Sequence, residues 1–255
     1  MNSAWRSLLD EIGRAREGGS RVEFWWRDDD AARPDPALAR LLGLAGNYDV
    51  PLALAAIPAQ AEAAAFKDLP AGVCVLQHGS DHRNRARRGE KKTEFPADDA
   101  IDATLERLKA GRLRLARYAG ERWVPVLAPP WNRIGASYAA HLAAAGYRGL
   151  SQYGPRARAH PVPGLLQVNT HVDLIAWRGS RGFAGEEAVL SAAVAHLAAK
   201  REGRADAGEP TGWLTHHAQH DEPAWHFLER LFETIGASPG VRWLGAEALF
   251  HIAGP

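Results

Sequence analysis

Three consecutive carboxylates, Asp28, Asp29 and Asp30, follow a short apolar run and are well placed to do chemistry. Residues 22–26 are β-branched or aromatic apart from one Glu, which predicts a buried strand. The triplet would then lie at the end of a core strand, where α/β proteins carry catalytic groups. Adjacent carboxylates repel one another unless a cation or a proton relieves the repulsion. The triplet therefore predicts a bound cation, with a solvated acidic turn or helix cap as the alternative.

A second group of ligand-type side chains follows another predicted strand. Residues 73–77 form an apolar run, and His78 and His82 come after it with three residues between them. This spacing allows two imidazoles to converge on one ion in a helical turn or a tight loop. Two histidines and one carboxylate of the triplet, with positions left for water and substrate, have the composition of a hydrolytic metal site. The histidine pair alone is weak evidence, since it could also be a capping or surface pair.

The elements that must position these groups alternate between helix and strand. A first helix is predicted at 3–17, a short Ala-rich helix at 59–66 and a long helix at 97–118. Further strands are predicted near 52–57, 124–127, 149–151, 165–168, 212–215 and 241–244. This alternation predicts a mainly parallel sheet. Because polar clusters follow one strand after another, we expect a (β/α) barrel with these clusters on one face.

The composition favours one domain and gives no indication of a nucleic-acid partner. With 255 residues and 46% hydrophobic content, the chain suits a single domain over 1–255, with an N-terminal helix in 1–20. A net charge of +1 gives no bias towards nucleic acid. The single cysteine excludes an intrachain disulfide, and no stretch resembles a signal peptide or membrane span. We predict a cytoplasmic protein, and its oligomeric state stays open.

Five stretches, in order, resemble the motifs of the metal-dependent polysaccharide deacetylases, the nodulation-deacetylase-like carbohydrate esterases. The family motif T-F-D-D-G is similar to R-D-D-D-A at 27–31, and H-[ST]-x-x-H to H-G-S-D-H at 78–82. R-x-P-x-G is partly recognisable in A-P-P-W-N at 128–132, D-x-x-D-W is similar to D-L-I-A-W at 173–177, and the strand ending L-x-H matches L-T-H at 214–216. The motifs span 27–217, which is most of the chain.

The resemblance implies an irregular (β/α) barrel of about seven strands with a divalent metal ion. In the family the first Asp of the pair is the base for the attacking water, and the second binds the metal with two histidines. We assign Asp29 as base and Asp30 as ligand, because small Ala31 follows as Gly does in the family. The alternative register has Asp28 as base and Asp29 as ligand. We expect zinc, with cobalt or nickel as alternatives.

The resemblance also implies an acid for the leaving group. The L-x-H pattern favours His216 over His217, but strand alternation puts only one of them into the site, so both stay candidates. Asp173 and Trp177 would support this histidine and wall the substrate pocket.

Two departures from the family pattern affect the expected activity. The Arg of the third motif has no counterpart beside Pro129, and the second acid of the fourth motif is Ala176. Arg27, next to the acidic triplet, could replace the missing Arg as the partner of the carboxylates. In the third motif, Trp131 and Asn132 are expected to line the substrate pocket.

Two further features bear on the substrate. Five tryptophans fall near predicted strand ends and could form an aromatic wall for sugar rings, or be ordinary core: Trp25, Trp26, Trp131, Trp177 and Trp213. The basic loop 83–92 could hold a phosphate or carboxylate of the substrate, or be a solvated loop.

The sequence thus predicts a metal-dependent hydrolase that removes an acyl group from an amino sugar or glycan precursor, and acetyl is the acyl group expected. Hydrolysis of another C–N bond in a small amide is one alternative. A sugar-binding or regulatory barrel without turnover is the other, and the missing Arg and acid favour it.

Overall fold

A parallel sheet forms the frame of the protein in the computed structural model, which describes residues 3–251. Within these residues the sheet has nine strands: β1 Val22–Ala31, β2 Leu52–Ala56, β3 Val73–His78, β4 Trp123–Ala128, β5 Gly149–Leu150, β6 Leu166–Gln167, β7 Val172–Asp173, β8 Thr211–Thr215 and β9 Val241–Trp243. Their order is β6-β5-β4-β3-β2-β1-β8-β7, with β9 beside the start of β1, and every pairing is parallel.

Helices follow most of the strands. In the described part they are α1 Ser3–Glu17, α2 Pro36–Tyr48, α3 Ile101–Ala119, α4 Ala136–Leu142, α5 Glu186–Arg201, α6 Glu222–Ile235 and α7 Ala246–Leu249. Helix α1 agrees with the predicted 3–17, whereas α3 starts four residues later than predicted. The helix predicted at 59–66 is wrong, because only Ala63–Ala65 form a single 3-10 turn. No helix of residues 3–251 has the length and apolar character needed to cross a membrane.

The sheet curls into an irregular (β/α) barrel in a single domain, as predicted. Of the nine strands within 3–251, three are only two residues long, and the sheet leaves β6 and β7 at its two ends. The barrel is therefore open on the side of these short strands. Residues 1, 2 and 252–255, which the predicted domain 1–255 includes, lie outside the described part.

Alternation along β1 divides the core into two layers. Phe24 and Trp26 pack between the sheet and the surrounding helices, whereas Trp25 packs inside the barrel. The interior layer also includes Phe250, which directly follows α7 and lies 6.2 Å from the Trp25 ring. Side chains two residues apart on a strand face the same way, so the alternation continues towards the acidic triplet at the carboxyl end of β1.

Candidate functional site

The acidic triplet lies at the carboxyl end of β1, where the backbone departs from regular strand geometry. Asp29 is buried, and Asp30 has a φ of 71° and is partly exposed. The pairing of β1 with β2 shifts register between Asp29 and Ala31. This irregularity interrupts the alternation, so that both Asp29 and Asp30 line one cavity of about 970 Å³.

The two histidines of the second motif meet Asp30 in this cavity. His78 ends β3, and its Nε2 lies 3.2 Å from Asp30 Oδ1. The Nε2 of His82 lies 3.3 Å from the same oxygen. One ligand atom of each residue lies within 4.8 Å of those of the other two. Two imidazole nitrogens and a carboxylate oxygen that converge in this way fit a divalent ion.

A buried carboxylate that the sequence analysis missed, Glu94, fixes the loop between the two histidines. It accepts hydrogen bonds from the backbone N–H groups of Ser80 (2.8 Å), Asp81 (3.3 Å) and His82 (3.0 Å), and from the Ser80 hydroxyl. Gly79 adopts a φ of 61°, and a Cβ there would lie 2.2 Å from Glu94 Oε2. Glu94 follows the basic loop, and no motif in the sequence marked it.

Arg27 is the partner of Asp29. Its Nε lies 2.8 Å from Asp29 Oδ1, and its Nη2 donates to Oδ2 at 3.0 Å. Arg27 also donates to Asn132 Oδ1 at 2.6 Å and to the backbone oxygen of Ser151 at 3.0 Å. Arg27 and Asp29 are both almost completely inaccessible to solvent. The guanidinium therefore holds both oxygens of the Asp29 carboxylate, although the Arg of the family's third motif is replaced by Ala128.

Asp28 points to the opposite face of β1, away from the cavity. It accepts hydrogen bonds from Thr215 Oγ1 (2.6 Å) and from the His217 backbone N–H (2.9 Å), and it lies 2.5 Å from His217 Nδ1. Burial disfavours the charged form of Asp28, but the adjacent imidazole of His217 outweighs it and lowers the pKa of Asp28. Conversely, burial disfavours the imidazolium of His217, yet the charge of Asp28 raises the pKa of His217. The two form a buried hydrogen-bonded pair behind the sheet.

His216 enters the cavity instead. Its Nε2 lies 4.0 Å from Asp29 Oδ2, and its ring packs edge-on against Trp177 at 4.6 Å. Trp177 Nε1 donates to Asp173 Oδ2 at 2.8 Å, and burial raises the pKa of Asp173. The structure therefore separates the two histidines that the sequence left as equal candidates, because consecutive residues after a strand point to opposite faces. The catalytic roles of His216 and His217 stay predictions.

Aromatic side chains flank the cavity, although not all those considered from sequence. Trp131, Tyr153 and Trp177 line it, and Trp131 packs against His82 with ring centroids 4.5 Å apart. Asn132 lines it as well. The other three tryptophans named above, Trp25, Trp26 and Trp213, are buried core residues.

Backbone strain is concentrated around the cavity. Eight non-glycine residues within 3–251 have a positive φ, and five of them line the cavity: Asp30, His82, Trp131, Asn132 and Arg181. Such conformations cost free energy and persist where the surrounding structure enforces them, often at functional sites.

A second group with metal-ligand spacing lies away from the cavity, but its protonation does not suit a metal. His171, His196 and Glu209 are buried together. The Gly212 N–H donates to His171 Nδ1 at 3.0 Å, so neutral His171 carries its proton on Nε2, which lies 3.3 Å from Glu209 Oε2. A metal would need the lone pair of that nitrogen. This cluster is therefore a buried polar network.

No family model matches this sequence, and no curated protein matches it. Solved structures do resemble the fold. They include a T48 deacetylase with substrate (15% identity, 92% of each chain covered, TM-score 0.57). An acetyl xylan esterase of family 4 from Clostridium thermocellum in complex with a cobalt ion matches at 15% identity over 90% of this chain and 91% of that one, with a TM-score of 0.55. A peptidoglycan N-acetylglucosamine deacetylase matches at 15% identity over 92% and 90%, with a TM-score of 0.56. The chain therefore shares its fold with solved deacetylases and esterases of polysaccharides and peptidoglycan.

Proposed function

We propose that the protein is a metal-dependent deacetylase that hydrolyses an N- or O-linked acyl group, acetyl above all, on an amino sugar or glycan precursor. The observation that carries this proposal is the convergence of Asp30, His78 and His82 in one cavity, with Asp29 beside them. This is a metal-ligand set with a separate carboxylate near it.

In this proposal Asp30, His78 and His82 hold a divalent ion, with zinc expected and cobalt or nickel as alternatives. A bound divalent ion lowers the pKa of water and polarises the carbonyl oxygen of an amide or ester. Glu94 keeps the segment that carries His82 in place through its backbone hydrogen bonds.

Asp29 is the general base. It takes a proton from the attacking water, whose oxygen bonds to the acyl carbon. The two contacts from Arg27 fix the orientation of the Asp29 carboxylate. Asp29 Oδ2 also lies 4.0 Å from His78 Nδ1 and 4.0 Å from His216 Nε2, which places it beside the candidate ligand set.

His216 is the general acid. It gives a proton to the leaving amine or alcohol as the bond between the acyl carbon and that group breaks. The products are the carboxylic acid and the deacylated sugar. Asp28 supports this step indirectly, since it binds Thr215 and His217, the residues on either side of His216.

A sugar suits the walls of this cavity. Trp131 and Trp177 border the candidate metal ligands and His216, and the C–H faces of sugar rings pack on indoles. The volume of about 970 Å³ accommodates more than one sugar ring. The solved deacetylases with this fold include one for peptidoglycan N-acetylglucosamine.

The test is release of acetate from a panel of acetylated sugars by the protein loaded with zinc, cobalt or nickel. We expect Asp29→Asn to retain the metal and to lose activity by about 10²–10⁴-fold. His78→Ala is expected to lose the metal. Asp102→Asn, an exposed acid on α3, is the control and should match the wild type.

One observation favours the alternative of a binding protein without turnover. With Ala176 in place of the second acid, His216 Nδ1 has no hydrogen-bond partner among the described residues. This alternative would be supported if the wild type and Asp29→Asn were equally inactive on the whole panel while sugars still bound. Turnover of small amides without turnover of any acetylated sugar would instead indicate a different C–N hydrolase.

A further inference from the structure

The mouth of the cavity carries cations that have no acidic partner in the part of the chain that the structure describes. Lys92, Arg133 and Arg181 line the cavity, and within residues 3–251 none of them forms an ion pair. By contrast, Arg85 and Arg87 of the basic loop 83–92 are paired with Asp81 and Asp98. The basic loop therefore supplies one free cation to the cavity, Lys92, and the other two come from segments that the sequence analysis did not consider.

Lys92 and Arg133 are held side by side. Arg133 Nη1 donates to the backbone oxygen of Lys92 at 3.0 Å, and Thr93 Oγ1 donates to the backbone oxygen of Arg133 at 3.0 Å. Arg133 follows directly after Trp131 and Asn132, which line the same cavity. These two hydrogen bonds join the loops that carry the two cations.

Arg181 is held by a short hairpin between β7 and α5. Its backbone N–H donates to Ala176 O at 3.1 Å, the Ala176 N–H donates to Gly182 O at 2.9 Å, and Ile175 pairs with Phe183. Arg181 has a φ of 57°, a left-handed conformation that is unfavourable for a residue with a long side chain. The hairpin thus enforces a strained backbone at a residue that borders the cavity.

The carboxylates of the cavity do not neutralise these cations. Asp29 is paired with Arg27, and Asp30 lies against the two histidines. Asp173 Oδ2 accepts a hydrogen bond from Trp177 Nε1 at 2.8 Å, and Asp173 forms no ion pair with the three cations within residues 3–251. The mouth is therefore positive, although the whole chain carries a net charge of only +1.

We propose that the cavity binds an acylated sugar that carries an anionic substituent, a phosphate or a carboxylate, and that Lys92, Arg133 and Arg181 bind this anion. Arginine and lysine provide charge-assisted hydrogen bonds to both kinds of anion. The identity of the ligand as a sugar rests on the proposed function, whereas its negative charge rests on the three cations.

The experiment measures binding to the metal-loaded full-length Asp29→Asn protein by calorimetry. The probes are N-acetylglucosamine, N-acetylglucosamine 6-phosphate and N-acetylmuramic acid, which carry no charge, a phosphate and a carboxylate. We expect at least one anionic sugar to bind about tenfold more tightly than the neutral one at low salt. If the protein prefers only one of the two anionic sugars, that sugar identifies the bound anion as phosphate or carboxylate.

Single changes Lys92→Gln, Arg133→Gln and Arg181→Gln should each weaken anionic binding by about twofold, the effect of losing one exposed charge contact. Binding of N-acetylglucosamine should stay unchanged. Arg88→Gln, an exposed cation of the same loop away from the cavity, is the matched control. The proposal would be overturned if charged and neutral sugars bound equally, or if neither anionic sugar bound. It would also be overturned if a variant with all three changes, Lys92→Gln, Arg133→Gln and Arg181→Gln, still preferred anionic sugars.

Failure of the proposed function would be distinguishable. Absence of acetate release by the wild type with intact discrimination for anionic sugars would refute the deacetylase and leave the anion site standing. Release of acetate without a preference for anionic sugars would refute the anion site and leave the proposed deacetylase standing.

Discussion

Arg27 and Asp29 form a two-point ion pair inside the barrel, with contacts of 2.8 and 3.0 Å. The polysaccharide deacetylases, whose motifs the sequence resembles, carry an Arg in their third motif, where this chain has Ala128. Because residues two apart on a strand face the same side, Arg27 and Asp29 both point into the barrel, and their contact does not depend on residue 128. The absence of the motif Arg therefore does not leave Asp29 without a cationic partner.

Replacing Arg27 with Met should destabilise the protein strongly. The change leaves the buried carboxylate of Asp29 unpaired, which costs about 3–5 kcal/mol of unfolding free energy. Urea denaturation measures this loss. In the Arg27→Met background, Ala128→Arg returns a guanidinium from the third motif and should recover part of the stability and of acetate release. Unchanged stability of Arg27→Met would contradict the importance of the pair.

Glu94→Gln should weaken metal binding. The neutral amide is a poorer acceptor for the three backbone N–H groups that hold the His82 loop, and groups that orient metal ligands typically contribute 10–100-fold in affinity. Competition with a chelator measures the affinity. Glu90→Gln, at an exposed position of the preceding loop, is the control, and equal affinities of the two variants would argue against this role of Glu94.

Gly79→Ala should damage the same loop by a different route. An added Cβ would lie 2.2 Å from Glu94 Oε2 and 2.6 Å from Pro130, and the φ of 61° is unfavourable for alanine. The control is Gly89→Ala, which has a φ of 89° with nothing within 4 Å of the added Cβ. We expect Gly79→Ala to weaken metal binding and Gly89→Ala to leave it unchanged, as measured by the same competition with a chelator. A comparable loss for Gly89→Ala would indicate that backbone strain, and not contact with Glu94, is responsible.

His216→Gln and His217→Gln should have different effects. His216 faces the cavity, so its replacement should lower kcat for acetate release by about 10²–10⁴-fold with little change in stability. His217 is paired with buried Asp28, so its replacement should lower the unfolding free energy by about 1–3 kcal/mol. Steady-state kinetics and denaturation of both variants provide the comparison. A larger loss of kcat for His217→Gln than for His216→Gln would instead assign the general acid to His217.

His196 should make stability depend on pH. Burial, followed by the neighbouring His171 and Lys200, lowers the pKa of His196 to about 3. In the unfolded chain the pKa is about 6.5, so the unfolded state binds a proton first as the pH falls. Stability is then fully present above pH 6.5 and is lost at up to about 1.4 kcal/mol per pH unit as the pH falls towards 3. Denaturation at several pH values should give a shallower dependence for His196→Gln than for the wild type, and parallel curves would contradict the shift.

The sequence by itself determined the alternation of strands and helices, and with it the barrel. Apolar runs such as β1 and β3 are local patterns, and the residues after them fall at strand ends whatever the distant contacts are. The grouping of one carboxylate of the triplet with His78 and His82 followed from the same reasoning, because parallel strands bring their carboxyl ends to one edge of the sheet. The choice of Asp30 within the triplet came from the resemblance to the polysaccharide deacetylases.

Only the tertiary structure decided which neighbours in the chain face the cavity. The shift of register after Asp29 turns Asp30 towards the histidines, and Asp28 pairs with His217 behind the sheet. Glu94 came from a loop without a periodic pattern. Such choices depend on backbone irregularities and on contacts between residues far apart in sequence, which leave no local signal in the composition or spacing of the residues involved.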